Sequence, residues 1–314
     1  GGDDSEGGRY RIQLRRVAEG RFVDRDVPLL SIAAHDDRVW AIRFRAPEGR
    51  ELLSVSQDGT VGWWKAEDGS PLGPLEPPGD RGASKADRGL LALALSSDGR
   101  WAAAGGWAGD IYVWDLETPA APAMVLAGTH APWPEDPGKL LPSGHVEEVH
   151  SLVFAPDDPP LLISGGGDGL LVGWDLAQGK AGRVVSVDGK TPDVRALLMR
   201  QIENGRDADF VITATRPTPS RGGVLAADYR GCVLLVVTSG PCRDWWLGKD
   251  VPRANCLRPL LDSRRICTPL GRPAGEAAVP FVALAPYPGL ETGFVGISFD
   301  EKYYLFRSTD QLPW

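Results

Sequence analysis

Between Val39 and Phe44 the chain alternates with a period of two: Val39, Ala41 and Arg43 fall on one side, Trp40, Ile42 and Phe44 on the other. That period belongs to an extended strand, and bulk on both sides suits a sheet lying between neighbouring sheets. A second strand is predicted over 52–56, then a turn at Asp58-Gly59 and a third strand ending at Trp64. LLALALSSDGRWAAAGGWAGDIYVWDL repeats the plan and ends near Trp114-Asp115; a third unit ends at Trp174-Asp175. Farther on, 194–200 reads as an inner strand and 224–237 as a hairpin with Gly231 at its turn. The apolar run 209–215 is either a second strand or an insertion, and 279–308 supplies three last strands. Hairpins ending at 64, 114, 174, 236 and 306 make five units, with long loops at 76–88, 127–143 and 240–277.

Two of these units share more than a hydrophobic pattern. His35, Ser54, Asp58 and Trp64 are 19, 4 and 6 residues apart, and His145, Ser164, Asp168 and Trp174 repeat those steps. AHDDRVWAIRFRAPEGRELLSVSQDGTVGWW also lies over GHVEEVHSLVFAPDDPPLLISGGGDGLLVGWD with its apolar positions in phase. The pattern resembles the WD40 repeat, whose units are propeller blades of four strands. The resemblance implies an all-β fold: a β-propeller of four-stranded antiparallel blades, about five of them recognisable here. The second unit departs from the pattern. Ala104 and Ala108 stand at the Ser and Asp positions and no histidine lies upstream, so this blade is expected to rely on packing.

The ends admit two arrangements. Residues 9–20 resemble a third strand and 27–32 an outer strand, so 1–26 reads as an N-terminal extension with an extra strand and 27–314 as the propeller. In closed members of the family the N-terminal outer strand completes the last blade, and 27–32 fits that role. Alternatively, the chain is a partial arc of a larger propeller.

Ser, His and Asp together are a hydrolase vocabulary, but here they occur twice, each time tied to strand register. The resemblance implies a buried relay instead: the indole meets Ser, Ser meets His, and His meets the turn Asp. A buried imidazole and carboxylate require such pairing. GGGDG at 165–169 reads as a hairpin turn, since no Gly-Lys-Ser/Thr and no helix start follow it. Cys232, Cys242, Cys256 and Cys267 have no C-x-x-C spacing, and every histidine is upstream. No metal site and no cofactor are expected, and the plainer reading is reduced thiols in a cytoplasmic protein.

Composition and charge narrow the partners. Thirty-nine Gly and 27 Pro suit many short strands joined by turns. A net charge of −8 argues against nucleic acid, and the arginines at 9, 11, 15, 16 and 21 are interleaved with acids. No apolar run reaches the ~18 residues of a membrane span. In the family, the position just after the first residue of each inner strand lies near the partner-facing rim. Alignment places Trp40, Leu91, His150, Arg195 and Pro280 there, with Arg38, Glu148 and Asp193 two residues before three of them. Trp and Arg are the types that dominate binding once desolvated. Trp133, between two prolines in the 127–143 loop, is a docking anchor or a plug over the channel. Trp245-Trp246 is expected to cap a blade edge. The expected function is recognition of another protein by a non-catalytic scaffold. The alternative is an accessory propeller of a larger multidomain enzyme, bound to the remainder of that polypeptide or complex.

Overall fold

A computed structural model describes residues 9–18, 21–22, 27–78, 88–128, 144–155, 161–186, 212–217, 223–228, 233–252, 256–259, 281–286, 294–298 and 303–306. The chain divides into two compact units, Gly1–Val125 and Leu126–Trp314.

In the first unit, β1 (Tyr10–Leu14) leads through a small hairpin of β2 (Val17–Ala18) and β3 (Arg21–Phe22) to β4 (Leu30–His35). β1 and β4 pair antiparallel as a two-stranded sheet, so residues 10–14 share a sheet with 30–35. The first blade follows: β5 (Val39–Phe44), β6 (Glu51–Ser56) and β7 (Val61–Lys65), with bridges from Val61 to Leu75 and from Trp64 to Pro71 on its outer side. The second blade has four strands: β8 (Leu90–Leu95), β9 (Trp101–Gly106), β10 (Ile111–Asp115) and β11 (Met124–Leu126).

The second unit repeats the plan. β12 (Val149–Phe154), β13 (Leu161–Gly166), β14 (Leu170–Asp175) and β15 (Lys180–Ser186) form one four-stranded sheet. β16 (Ile212–Pro217), β17 (Gly223–Asp228), β18 (Val233–Val237) and β19 (Leu257–Pro259) form the next. β20 (Phe281–Pro286), β21 (Phe294–Ser298) and β22 (Tyr303–Phe306) make a three-stranded sheet.

Register follows the alternation from Ala41 onward; it shifts between Val39 and Ala41, so Val39 packs with Leu52 and Trp64 rather than on the Ala41 side as the alternation predicts. Ile42 lies opposite Ser54 and Phe44 opposite Leu52; Leu152 and Phe154 repeat this against Ser164 and Leu162. Asp-Gly turns close the β6–β7 and β13–β14 hairpins, where Gly59 and Gly169 hold φ of 84° and 72°. A side chain is strained at such angles, whereas glycine is not.

The first blade has neighbours on both faces. One face of the first blade (Leu53, Val55, Val61, Trp63) packs with Leu90, Leu93, Ala102, Ala104, Tyr112 and Trp114 of the second. Its other face packs Leu52 and Trp64 against Ile12, Ile32 and Ala34 of the β1–β4 sheet. In the second unit, Val153, Leu161, Ile163 and Leu171 pack with Val224, Ala226 and Val236.

One alternative is settled and one expectation is corrected. Among the described residues the fourth sheet starts with Ile212–Pro217, so the 209–215 run contributes a paired strand and is not an insertion. Its β-branched Ile212, Thr213 and Thr215 suit an extended strand, whereas 194–200 lies outside the described residues. The expectation of reduced thiols fails for one pair: Cys242 and Cys256 form a disulfide, their Cα atoms 5.2 Å apart. A short helix, α1 (Pro241–Trp246), turns Cys242 inward beside Trp245 and Trp246, into the same core cluster as Cys256. Both thiols are thus brought together by a loop that has no repeat signature. Cys232 and Cys267 lie outside the described residues.

Candidate functional site

The two polar tetrads are hydrogen-bonded relays. Trp64 Nε1 donates to Ser54 Oγ at 3.0 Å, and Ser54 Oγ lies 2.7 Å from His35 Nε2. His35 Nδ1 faces Asp58 Oδ2 at 3.2 Å and Thr60 Oγ1 at 2.9 Å. In the third blade, Trp174 Nε1 donates to Ser164 Oγ at 2.8 Å, which is 2.6 Å from His145 Nε2. His145 Nδ1 then meets both oxygens of Asp168, at 3.1 and 3.2 Å. A carboxylate only accepts, so Nδ1 carries the imidazole proton and Nε2 takes the serine hydroxyl proton. The indole proton then fills a serine lone pair, and the chain of donors runs in one direction from Trp to Asp.

Local sequence makes this possible. Gly62 lies opposite Ser54, and a Cβ there would collide with the Trp64 indole nitrogen. Asp58 also accepts from the amides of Asp36 and Thr60, each at 2.9 Å, which ties the turn to the residue after His35. Burial alone raises the Asp58 carboxyl. The hydrogen bonds from His35, Thr60 and the two amides outweigh it and hold the group well below the usual carboxylate range. Asp168 repeats the amide contacts with Val146 at 2.7 Å and Leu170 at 3.0 Å.

Ser54 and Ser164 are fully buried and already accept an indole proton, so no substrate carbonyl reaches either hydroxyl. The relays lock a hairpin turn to the strand entry before it. Among the described residues no group of three His, Cys, Asp or Glu side chains is placed to hold a metal ion. No helix among them is long and apolar enough to cross a membrane.

Three of the blades match the WD domain, G-beta repeat family, over residues 26–65, 83–115 and 138–175. The chain carries a WD40 repeat domain. It is similar to two curated proteins of Arabidopsis thaliana. With Protein ROOT INITIATION DEFECTIVE 3 it shares 37% identity over 89 residues, 28% of this chain. With Protein SPA1-RELATED 3 it shares 26% identity over 172 residues, 54% of this chain. In both cases the match spans 16% of the relative's length, so the chain covers a small part of each.

On the WD40 domain, the rim residues read from the sequence fall into three groups. In the first unit, Arg38 and Trp40 are both exposed; Trp40 shows 47% of its surface and donates its indole proton to Gln57 Oε1 at 3.0 Å. In the second unit, Glu148 and His150 are half-buried, with His150 Nε2 3.7 Å from Glu148 Oε1. Trp133, Asp193 and Arg195 lie outside the described residues. The expected edge cap at Trp245-Trp246 takes a definite place: both indoles are buried. Arg183 of the outer strand β15 donates to Trp245 O at 3.1 Å and stacks its guanidinium on the Trp245 ring.

Sequence reasoning missed Gln57 and Trp107. Gln57 Oε1 accepts both the Trp40 and the Trp107 indole protons, each at 3.0 Å, and so joins two blades at one carbonyl. Both residues occupy the position just before the turn residue Asp58 or Ala108. Extending the tetrad alignment by one residue would have found them.

Proposed function

We propose that this WD40 domain is a protein-recognition module without catalytic activity of its own, in which the repeated sheets act as a propeller-type scaffold. The observation that carries the reading is the placement of Arg38, Trp40, Gln57 and Trp107. Two indoles are oriented by the Gln57 amide, whose backbone N–H donates to the carbonyl of the exposed Arg38 at 2.8 Å, and exposed Trp and Arg are the residue types of a binding hot spot. Within the second unit, the half-buried Glu148 and His150 belong to this proposal in their own right. The remaining rim positions, Trp133, Asp193 and Arg195, belong to this proposal on alignment alone. The partner is another protein; the excess of acidic side chains disfavours nucleic acid. The Cys242–Cys256 disulfide weighs against the cytoplasmic location expected from sequence and favours an oxidising compartment.

The experiment is a pull-down with the chain carrying Arg38→Ala and Trp40→Ala. Both side chains are exposed, so the melting temperature should stay within a degree or two while partner capture falls at least about tenfold, about 1.4 kcal/mol. Capture at the unaltered level would refute the rim as the docking surface.

A further inference from the structure

The segment that carries α1 touches two neighbouring sheets of the second unit. On one side lies the third blade. Arg183 of its outer strand β15 donates to Trp245 O and to Lys249 O, both at 3.1 Å, and stacks on the Trp245 ring. Gly182 lets the segment come close, since a Cβ there would lie 2.5 Å from Trp246 O. Gly173 of β14 makes the same room for the Trp246 ring, at 2.6 Å. On the other side lie β18 and β19 of the fourth sheet. Trp246 Nε1 donates to Val237 O at 3.0 Å, and the Val237 amide donates to Cys256 O at 2.9 Å. Cys256 thus extends the ladder that Leu257–Pro259 makes with β18, and its sulfur is bonded to Cys242 of α1. The two indoles fill the seam, in one apolar cluster with Ile163 and Leu171 of the third blade and Val224 and Val236 of the fourth sheet.

The helix does little to hold itself there. It has 6 residues, whereas an isolated helix shorter than about 12–15 is marginal in water. Gly240 at its N-cap supplies no side-chain hydrogen bond to the first turn. Its position comes from Trp246, from Arg183 and from the covalent bond to Cys256. That bond joins residues 14 apart, and closing a loop of this size disfavours the open chain by about a hundredfold. Among these restraints it is the one that a chemical signal can remove and restore.

We propose that the Cys242–Cys256 disulfide is a redox latch: oxidised, it clamps α1 over the seam between the third and fourth sheets, and reduced, it lets α1 go. A dithiol reductant supplies the two electrons and two protons. Its thiolate attacks one sulfur, a mixed disulfide forms, and its second thiol displaces the chain's remaining sulfur. The S–S bond of the chain breaks, Cys242 and Cys256 become thiols, and the reductant closes its own disulfide. Cys242 is 7% exposed and Cys256 fully buried, so attack begins at Cys242 and follows a local opening of the segment. Release withdraws both indoles from the cluster and bares apolar surface of both sheets. In an oxidising compartment the latch stays closed until it meets such a dithiol. It stands apart from the rim reading, which rests on Arg38 and Trp40 of the first unit.

The test compares the oxidised chain with the same chain in excess dithiothreitol, with mass spectrometry following the state of Cys242 and Cys256. On reduction, amide exchange at Trp245, Trp246 and Leu247 should speed up at least about tenfold, while exchange across Leu170–Asp175 stays as it was. Reoxidation should restore the slow rates. Cys242→Ala with Cys256→Ala should exchange at the fast rate from the start and gain nothing more from dithiothreitol. Should that variant fail to fold, Cys232→Ala with Cys267→Ala takes its place and must keep the full reductant effect. Unchanged exchange at α1 after reduction overturns the proposal. Equal acceleration across Leu170–Asp175 does so too, because the bond would then be a staple for the whole fold. A disulfide that dithiothreitol leaves intact in the folded chain also overturns it. So does a reductant effect that persists without Cys242 and Cys256, or one that vanishes without Cys232 and Cys267.

Discussion

The second and third blades have the same four-stranded plan and reach it by different chemistry. In the third, Trp174, Ser164, His145 and Asp168 form a buried polar relay. In the second, Ala104 stands in the serine register, and Ala102 and Ala104 are fully buried in one cluster with Tyr112 and Trp114, their partners across the strand pair. The outer end of that blade is instead tied by Arg100, which donates to both oxygens of Asp115 and holds that carboxyl below its usual range. The hairpin thus does not depend on the relay. What both blades share is the burial of apolar side chains from paired strands against neighbouring sheets, and the relay adds turn-to-strand specificity where its four residues are all present.

The largest effects should therefore be alike in the two blades. Trp174→Ala and Trp114→Ala each remove a nearly fully buried indole, and each should cost about 3–5 kcal/mol by denaturant unfolding. A much larger loss for Trp174 than for Trp114 would show that the relay, not burial, carries the blade.

Smaller, and opposite in logic, are the polar exchanges. His145→Ala strands the buried Ser164 and Asp168 and should cost about 1–3 kcal/mol. Ala104→Ser places a hydroxyl in a fully buried position with no histidine opposite it and should cost a similar amount rather than stabilise. A stabilising Ala104→Ser would mean that the second blade retains a hidden partner for the hydroxyl.

The smallest effect concerns acid. Asp58 is held below its ordinary value of 3.8 in the folded state, so it contributes stability above that pH, and the contribution is lost as pH falls toward the folded value. Unfolding of the wild type and of Asp58→Asn should differ by a constant amount near neutrality, and the difference should shrink once pH drops below about 4. A gap that stays constant down to pH 2 would contradict the role given to the hydrogen bonds around Asp58.

Much of this architecture was legible from local pattern. Period-two alternation marked β5 to β10 and β12 to β14, and the matched intervals of His35, Ser54, Asp58 and Trp64 set their pairing. Those intervals are short-range consequences of strand length and hairpin register, so a sequence records them directly. The strand order of the fourth sheet stayed open in the sequence because apolar runs at 194–200 and 209–215 compete, and periodicity cannot choose between two short runs. Gln57 was overlooked because its role depends on two indoles, one 17 and the other 50 residues away.

What the amino-acid order determined by itself is the repeat: which residues are extended, where each hairpin turns, and which four side chains can meet inside a blade. Tertiary structure alone decided which faces are covered. Val39 to Phe44 reads as buried on both sides, yet Trp40, Ile42 and Phe44 are 47%, 37% and 53% exposed, because cover comes from a neighbouring sheet, which among the described residues consists of β1 and β4. The Cys242–Cys256 bond belongs to the same class, since α1 creates it by folding an irregular loop onto the core. Alternation is a property of one strand, but burial is a property of two sheets.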